Sequence, residues 1–197
     1  MYAKTSAGVG RAPLIDSDRK LVVVNSGGKY AEAAVAGRLF HSATSVMIAT
    51  STTLNTTFVG LSLANPTGSG KNIIVHEFSW AVIVPSAGTA VIGLATTVAT
   101  GLTTQEAASP IQCCRHNYAT TVAKTTQGGA ITAPVLVKVF SQAGTALITT
   151  MQPQEQTIDL GGSIILAPGR ALVTDTTVAM AADSTQFSFL WEEVDAA

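Results

Sequence analysis

The segment closest to a known chemical motif is residues 68–71 (GSGK), which has the glycines and lysine of a phosphate-binding loop. Such a loop needs a glycine separated by four residues from the Gly-Lys pair, a Ser or Thr after the lysine, and a helix that begins there. This chain has Asn65 and Asn72 at those two positions, and a β-branched, aromatic run follows. The segment therefore predicts a turn between strands, with Gly68 and Gly70 at positive φ.

Other chemical patterns are also incomplete. Cys113, Cys114 and His116 resemble the start of a metal site, but structural zinc needs four ligands and no second Cys or His pair follows at suitable spacing. Residues 60–64 (GLSLA) approximate a hydrolase nucleophile elbow, but the last glycine is missing and a turn follows instead of a helix. His76 is isolated and is expected in the core, bonded to backbone. We therefore expect a non-enzymatic protein without catalytic, metal-binding or cofactor-binding residues.

The composition indicates extensive contacts with other proteins. Charged residues make up 12% of the 197 residues, against roughly a quarter in ordinary soluble domains. A surface of Ala, Thr, Ser and Gly is easily desolvated, so we expect much of it to lie in subunit contacts.

Neither a signal-peptide pattern nor a run of eighteen apolar residues is present, so no membrane partner is expected. The two adjacent cysteines fit a reducing compartment, and we expect synthesis in a cytoplasm.

Charge is distributed unevenly along the chain. Residues 1–41 hold six basic and three acidic side chains, a net charge of +3, and the remaining residues hold five basic and nine acidic ones, a net charge of −4. We therefore expect the first segment to dock on an acidic surface of a partner or a neighbouring copy. Nucleic acid is not expected as a partner, because the cations are dispersed. The candidate interface cations are Lys4, Arg11, Arg19, Lys20, Lys29 and Arg38.

The chain divides into an extended N-terminal arm, residues 1–43, and a body, residues 44–197. The arm contains a candidate short strand at residues 21–24 and a candidate short helix within residues 30–40. In the body, apolar runs alternate with turn signals at a spacing typical of a β-sandwich. The predicted strands are residues 46–49, 58–63, 73–84, 90–95, 135–140, 146–151, 163–166, 171–174 and 187–194. Residues 97–130 are predicted to form a long loop with one strand near residues 118–122, and this loop is a second candidate interface.

Two predicted strands show the alternation of a half-buried sheet. In the last strand, Phe187, Phe189 and Trp191 share one face, so this strand is expected to close the core. In residues 72–84, one face carries Ile74, Phe78, Trp80, Val82 and Val84, and the opposite face carries Val75, Glu77, Ser79 and Ala81.

Three passages together resemble the capsid decoration, or cement, proteins and related head-fibre proteins of tailed bacteriophages. They are residues 60–72 (GLSLANPTGSGKN), residues 165–169 (ILAPG) and residues 187–193 (FSFLWEE). The resemblance covers the chain from about residue 57 to its end. It implies a jelly-roll sandwich, often a homotrimer, bound to the major capsid protein on the outer surface of an icosahedral head. The family has no catalytic motif to transfer to this chain.

A decoration role agrees with the physical reading of the chain. A protein that bridges neighbouring capsomers stabilises the assembled shell, because each bound copy favours the bound state by mass action.

The alternative is a fibre, tail or vertex protein that binds a receptor or glycan on the host surface, since jelly rolls also present sugar sites at loop ends. Tyr118 is the only obvious loop aromatic for that role and is a further candidate interface residue.

Overall fold

The chain forms two compact units, residues 1–32 and residues 33–197. The computed structural model describes residues 3–4, 10–11, 14–15, 21–22, 28–51, 56–82, 90–116, 118–143, 154–177 and 179–196. In the first unit, β1 (Ala3–Lys4) pairs antiparallel with β2 (Gly10–Arg11). In the same way, β3 (Leu14–Ile15) pairs with β4 (Leu21–Val22). The predicted short strand at residues 21–24 therefore corresponds to β4.

A short helix, α1 (Ala31–Val35), precedes the strands of the second unit and lies within the segment predicted to contain a helix. The strands that follow are β5 (Leu39–Ala43), β6 (Ile48–Thr50), β7 (Thr57–Ala64), β8 (Lys71–Val82), β9 (Ala90–Val98), β10 (Ile111–Cys113), β11 (Lys124–Ala130), β12 (Val135–Ala143), β13 (Gln154–Leu166), β14 (Arg170–Thr176) and β15 (Met180–Asp195). They form two antiparallel sheets. Sheet 1 has the order β10-β5-β15-β8-β13, with β6 also paired to β15, and sheet 2 has the order β11-β7-β14-β9-β12.

The strand order is that of a jelly roll. Apart from the short strands β6 and β10 and the edge strand β11, eight strands pair first with last: β5 with β15, β7 with β14, β8 with β13 and β9 with β12. This pairing results when one long antiparallel ribbon wraps into two facing four-stranded sheets. The predicted all-β, jelly-roll-like sandwich is confirmed.

The core lies between the two sheets. Phe78 is at its centre, with ring centroids of Trp80, Phe189, Phe140 and Phe187 between 5.3 and 5.9 Å away. Sheet 2 contributes Leu61, Leu63, Ile92, Leu94 and Leu172, all without exposed surface. A second cluster on the opposite face of sheet 2 includes Ala95 and Val173 with Leu102 and Ile131. The predicted burial of Phe187, Phe189 and Trp191 on one face of β15 is confirmed.

A β-bulge in β8 reverses the predicted orientation of its first residues. Leu190 of β15 pairs with Glu77 and Trp191 pairs with Val75, so the register steps past His76, the extra residue of the bulge. Because an extra residue shifts the alternation by one position, Val75 is buried and Ile74 is only half-buried. The predicted sides of Ile74 and Val75 were therefore wrong. Beyond the bulge, the predicted alternation holds as far as Val82, and Val84 lies outside the described residues.

Residues 97–130 contain β10 and β11, and the strand predicted near residues 118–122 is wrong. Polar side chains hold this region in place. Gln105 Nε2 donates to Thr125 Oγ1 at 2.9 Å, and Glu106 Oε2 accepts from the Gln127 backbone at 2.7 Å. Because β10 has only three residues and β11 consists mainly of Thr, Gln and Gly, hydrophobic periodicity does not reveal these strands.

Residues 39–43, assigned to the arm from sequence, form an inner strand of sheet 1 between β10 and β15. Leu39 and Phe40 are only 3% and 2% exposed, and Phe40 stacks on Trp191 with ring centroids 6.2 Å apart. The strand begins with two adjacent buried apolar residues, so its sequence does not alternate between apolar and polar residues as a half-buried strand does. The body therefore includes this part of the predicted arm.

Candidate interaction surfaces

The sequence patterns that suggested enzyme chemistry have structural roles. In the turn between β7 and β8, Gly68 and Gly70 have φ of 77° and 68°, as predicted. The Asn65 side-chain amide donates to the backbone oxygens of Lys71 and Leu166, both at 2.8 Å, and so ties this turn to β13. Ser62, at the nucleophile position of the elbow-like segment, is fully buried and donates to the Thr126 backbone oxygen at 3.2 Å.

The cysteine pair lies at the end of β10. Cys113 is buried and Cys114 is half-buried, and both are free thiols. Burial, and to a lesser degree the neighbouring Cys113, raises the pKa of the Cys114 thiol. This thiol therefore stays protonated and weakly nucleophilic at neutral pH.

Within the described ranges, no group of three or more His, Cys, Asp and Glu side chains is placed to hold a metal ion. No helix in the described part of the chain is long and apolar enough to cross a membrane.

A run of exposed apolar side chains lies on β12, the edge strand of sheet 2. Val135, Leu136, Val137 and Val139 are 61%, 43%, 43% and 57% exposed. We call these four residues the β12 surface. Single exposed apolar residues are common, but several in succession on one strand mark a contact site. If a partner buried the exposed half of these four side chains, the hydrophobic effect would stabilise the complex by roughly 3–6 kcal/mol, before the entropic costs of association are subtracted.

Two register shifts in β12 explain why both of its sides are exposed. Its pairing with β9 is interrupted between Leu136 and Lys138 and again between Val139 and Ser141. The Phe140 ring packs 5.4 Å from Phe78, which fixes the strand to the core. Since bulges disfavour the addition of another strand at a sheet edge, the β12 surface is suited to side-chain packing against a partner.

A second candidate surface surrounds Tyr118, which is 55% exposed. The Arg115 guanidinium carbon lies 3.7 Å from the centre of the Tyr118 ring, and Arg115 also donates to the Val35 backbone oxygen at 2.7 Å. Gly37 has φ of 71°, and a side chain at this position would collide with the Tyr118 ring. Arg115 and Gly37 therefore hold the ring in place.

A cavity of about 690 Å³ adjoins Tyr118, with Phe40 and Ile111 among its lining residues and Thr120 and Thr121 as hydroxyl groups. Glu193, 5% exposed, anchors the loop on one side of it. The Glu193 carboxylate accepts from the Thr121 hydroxyl and from the backbone of Val122 at 3.2 Å and of Ala123 at 3.3 Å. The cavity thus combines an aromatic wall with hydroxyl groups.

The predicted basic residues are in different environments. Lys4 and Arg11 lie in β1 and β2, and Arg19 and Lys20 lie outside the described residues. Lys29 is exposed, with Nζ 5.0 Å from the centre of the Tyr30 ring.

Arg38 belongs to the body, where its Nε lies 2.9 Å from Glu192 Oε1. The other oxygen of Glu192 lies 3.5 Å from His76 Nε2. His76 was predicted in the core, and the structure instead places it beside an ion pair, because it occupies the bulge of β8.

The β12 surface was missed as an interface in the sequence reasoning, although a strand was predicted at residues 135–140. A signal was present, because Val135, Leu136 and Val137 are consecutive and cannot all face one core. Arg115 and Glu193 were missed because their roles depend on contacts between residues distant in sequence.

Comparison with protein-family models, with curated proteins and with solved structures finds no match to this chain. The resemblance to phage decoration proteins therefore rests on the three sequence passages.

Proposed function

We propose that this chain is a non-enzymatic virion structural protein, a capsid decoration protein that binds the outer surface of a phage head and bridges its capsomers. The observation that carries the proposal is the β12 surface, which is apolar, exposed and anchored to the core through Phe140. The neighbouring Lys138 is the only charged residue of β12. Such a surface favours a permanent contact with another protein.

Three further observations support this function. The jelly roll is a fold used by viral capsid proteins, the chain is poor in charge, and three passages resemble decoration proteins. Under this proposal the major capsid protein contacts the β12 surface. The protein itself is a homotrimer on the capsid exterior, made in the host cytoplasm.

Co-sedimentation with heads that lack the protein tests the proposal. We expect saturable binding of hundreds of copies per head and better survival of loaded heads on heating. Val139→Asp should weaken binding at least tenfold, because it places a charge in an apolar contact. Val46→Asp is the matched control, since Val46 is 56% exposed but lies away from β12, in the turn between β5 and β6. Absence from heads, or equal loss in both variants, would overturn the proposal.

A second candidate function is binding of a host-surface receptor or glycan by a fibre, tail or vertex protein. The cavity beside Tyr118 favours it, because sugar sites combine an aromatic side chain with hydroxyl and amide groups. Tyr118→Ala should then abolish binding to host cells while Val139→Asp leaves it unchanged. Cell binding that is insensitive to Tyr118→Ala would exclude this site.

A further inference from the structure

One acidic side chain lies on the outer face of sheet 2, next to the β12 surface. Val139 of β12 pairs with Gly93 of β9, and Gly93 pairs with Asp175 of β14. Paired residues of an antiparallel sheet point to the same face. The chain neighbours of Gly93, Ile92 and Leu94, are fully buried on the core side. Val139, Gly93 and Asp175 therefore form one row across the outer face.

The absence of a side chain at Gly93 lets an apolar residue of β12 lie over the middle of this row. A Cβ atom at position 93 would stand 3.1 Å from Leu136 Cδ1 and 2.8 Å from the Lys138 backbone oxygen. Leu136 is itself 43% exposed. Because neighbouring strands are about 4.8 Å apart, exposed apolar atoms of Leu136 and Val139 lie within reach of one long side chain that ends at Asp175.

The Asp175 carboxylate has no cation beside it among the described residues. It is half-buried and belongs to none of the ion pairs that these residues form. Burial raises the pKa of this carboxyl, and the hydrogen bond from the Thr176 backbone offsets the shift only in part. Lys138 pairs with Leu94, whose side chain faces the core, so Lys138 does not belong to the outer row. A cation supplied by a partner would compensate this half-buried charge.

The chemistry of the outer face distinguishes among possible occupants. Asp175 is not part of any group of three or more metal-ligating side chains in the described ranges. A second copy packed here about a two-fold axis would bring two identical acidic rows together. A basic side chain of a different protein fits better, because the stems of Lys and Arg pack along apolar surface while the charged end reaches a polar group.

We propose that the β12 surface and Asp175 together bind a segment of the major capsid protein in which a Lys or Arg is flanked by apolar side chains. The stem of the basic residue packs on Leu136 and Val139, and its cation pairs with the Asp175 carboxylate. The apolar contacts supply most of the affinity, and Asp175 selects the partner and fixes its register. The inference rests on the proposed function and deepens it by naming the chemistry that the capsid protein presents.

Binding of Asp175→Asn to heads that lack the protein tests this pairing. We expect binding about tenfold weaker than that of the wild type, because a hydrogen bond between charged groups is lost. Asp195→Asn is the matched control, since it removes the same charge from sheet 1, where Asp195 is 89% exposed and pairs with Lys71. It should bind like the wild type. Wild-type affinity of Asp175→Asn, or equal loss in Asp195→Asn, would overturn the proposal.

The salt dependence of head binding provides a second readout that a merely structural role of Asp175 would not change. Raising the ionic strength from about 0.05 M to about 0.5 M should weaken binding of the wild type more than binding of Asp175→Asn, because salt screens the charge pair. Equal salt dependence of the two proteins would overturn the pairing.

Val139→Asp separates failure of this inference from failure of the proposed function. If Val139→Asp loses head binding while Asp175→Asn binds like the wild type, the capsid contact stands and the basic partner residue is wrong. If both variants bind like the wild type, the proposed function fails as well. Sedimentation velocity without heads tests the other occupant. Val139→Asp should keep the oligomeric state of the wild type, and its dissociation would assign this face to a second copy and overturn the proposal.

Discussion

At the scale of single residues, Glu193 couples the last strand to the loop beside Tyr118. Its carboxylate is nearly inaccessible to solvent and accepts hydrogen bonds from the Thr121 hydroxyl and from two backbone amides, those of Val122 and Ala123. A buried donor that loses its acceptor costs the full desolvation penalty of that group. Glu193 therefore stabilises the loop in a way that no apolar residue could replace.

We expect Glu193→Ala to lower the free energy of unfolding by about 2–5 kcal/mol, because it removes the acceptor of the Thr121 hydroxyl, the Val122 backbone N–H and the Trp191 indole N–H. The Ala123 backbone N–H keeps the Thr121 hydroxyl as an acceptor at 2.9 Å. Glu193→Gln keeps one acceptor oxygen and should lose about half as much. Urea denaturation followed by tryptophan fluorescence measures both. Equal stability of Glu193→Ala and the wild type would show that water replaces the carboxylate.

Asp175 of β14 gives a pH dependence. Burial raises the pKa of its carboxyl, and a hydrogen bond from the Thr176 backbone offsets part of the shift. A carboxyl whose pKa is higher in the folded than in the unfolded protein binds its proton more tightly in the folded protein. The free energy of unfolding therefore falls as the pH rises from the unfolded-state pKa to the folded-state pKa. Asp175→Asn should therefore raise the thermal midpoint at about pH 7 and give no gain at about pH 3. A gain of equal size at both pH values would contradict this assignment.

At the scale of elements, β15 is the central strand of the body. It pairs with β5 on one side and β8 on the other and contributes Phe187, Phe189 and Trp191, each at most 1% exposed. Replacing one buried aromatic residue by alanine lowers the free energy of unfolding by about 3–5 kcal/mol. The whole free energy of unfolding of a domain is about 5–15 kcal/mol.

Deleting residues 185–197 should therefore leave the body unfolded. We expect loss of near-UV circular dichroism and of a cooperative thermal transition. Deleting only residues 196–197 is the control, because it leaves every pair of β15 intact. A cooperative transition in the longer deletion would show that β5 and β8 can close the sheet without β15.

The strength of the sequence signal decided which elements could be predicted. In β15, aromatic and polar residues alternate over many positions, so both its existence and its buried face followed from the sequence. In β8, the bulge at His76 depends on the pairing partner, so the sides of Ile74 and Val75 were wrong. β10 is only three residues long and β11 has little apolar content, and polar contacts such as Gln105 to Thr125 help to position β11, which local sequence does not reveal. The same limit hid the roles of Arg115 and Glu193, because residues distant in sequence meet only in the folded chain.

At the scale of the whole molecule, the boundary between the two units determines which truncation tests the role of the N-terminal segment. Deletion of residues 1–32 removes the first unit and leaves β5 in place. Deletion of residues 1–43 also removes β5, which pairs with both β15 and β10. The apolar side chains of Leu39 and Phe40 would be lost from the core.

We therefore expect the 33–197 fragment to fold and the 44–197 fragment to unfold or aggregate. Thermal denaturation and size-exclusion chromatography compare the two. The folded fragment should keep its β12 surface. A cooperative transition in the 44–197 fragment would show that β5 is dispensable.

The position of β15 also has a consequence for synthesis. Of the described strands, β15 comes last in the chain, yet it lies inside sheet 1 between β5 and β8, which are made much earlier. Domains generally fold as units during translation, but this sheet stays open until β15 has left the ribosome. A nascent chain released early has neither a closed core nor the outer face that Ser188 and Leu190 help to form. The topology thus makes closure of the core wait for β15, so a product that ends before this strand is left with an open, aggregation-prone sheet.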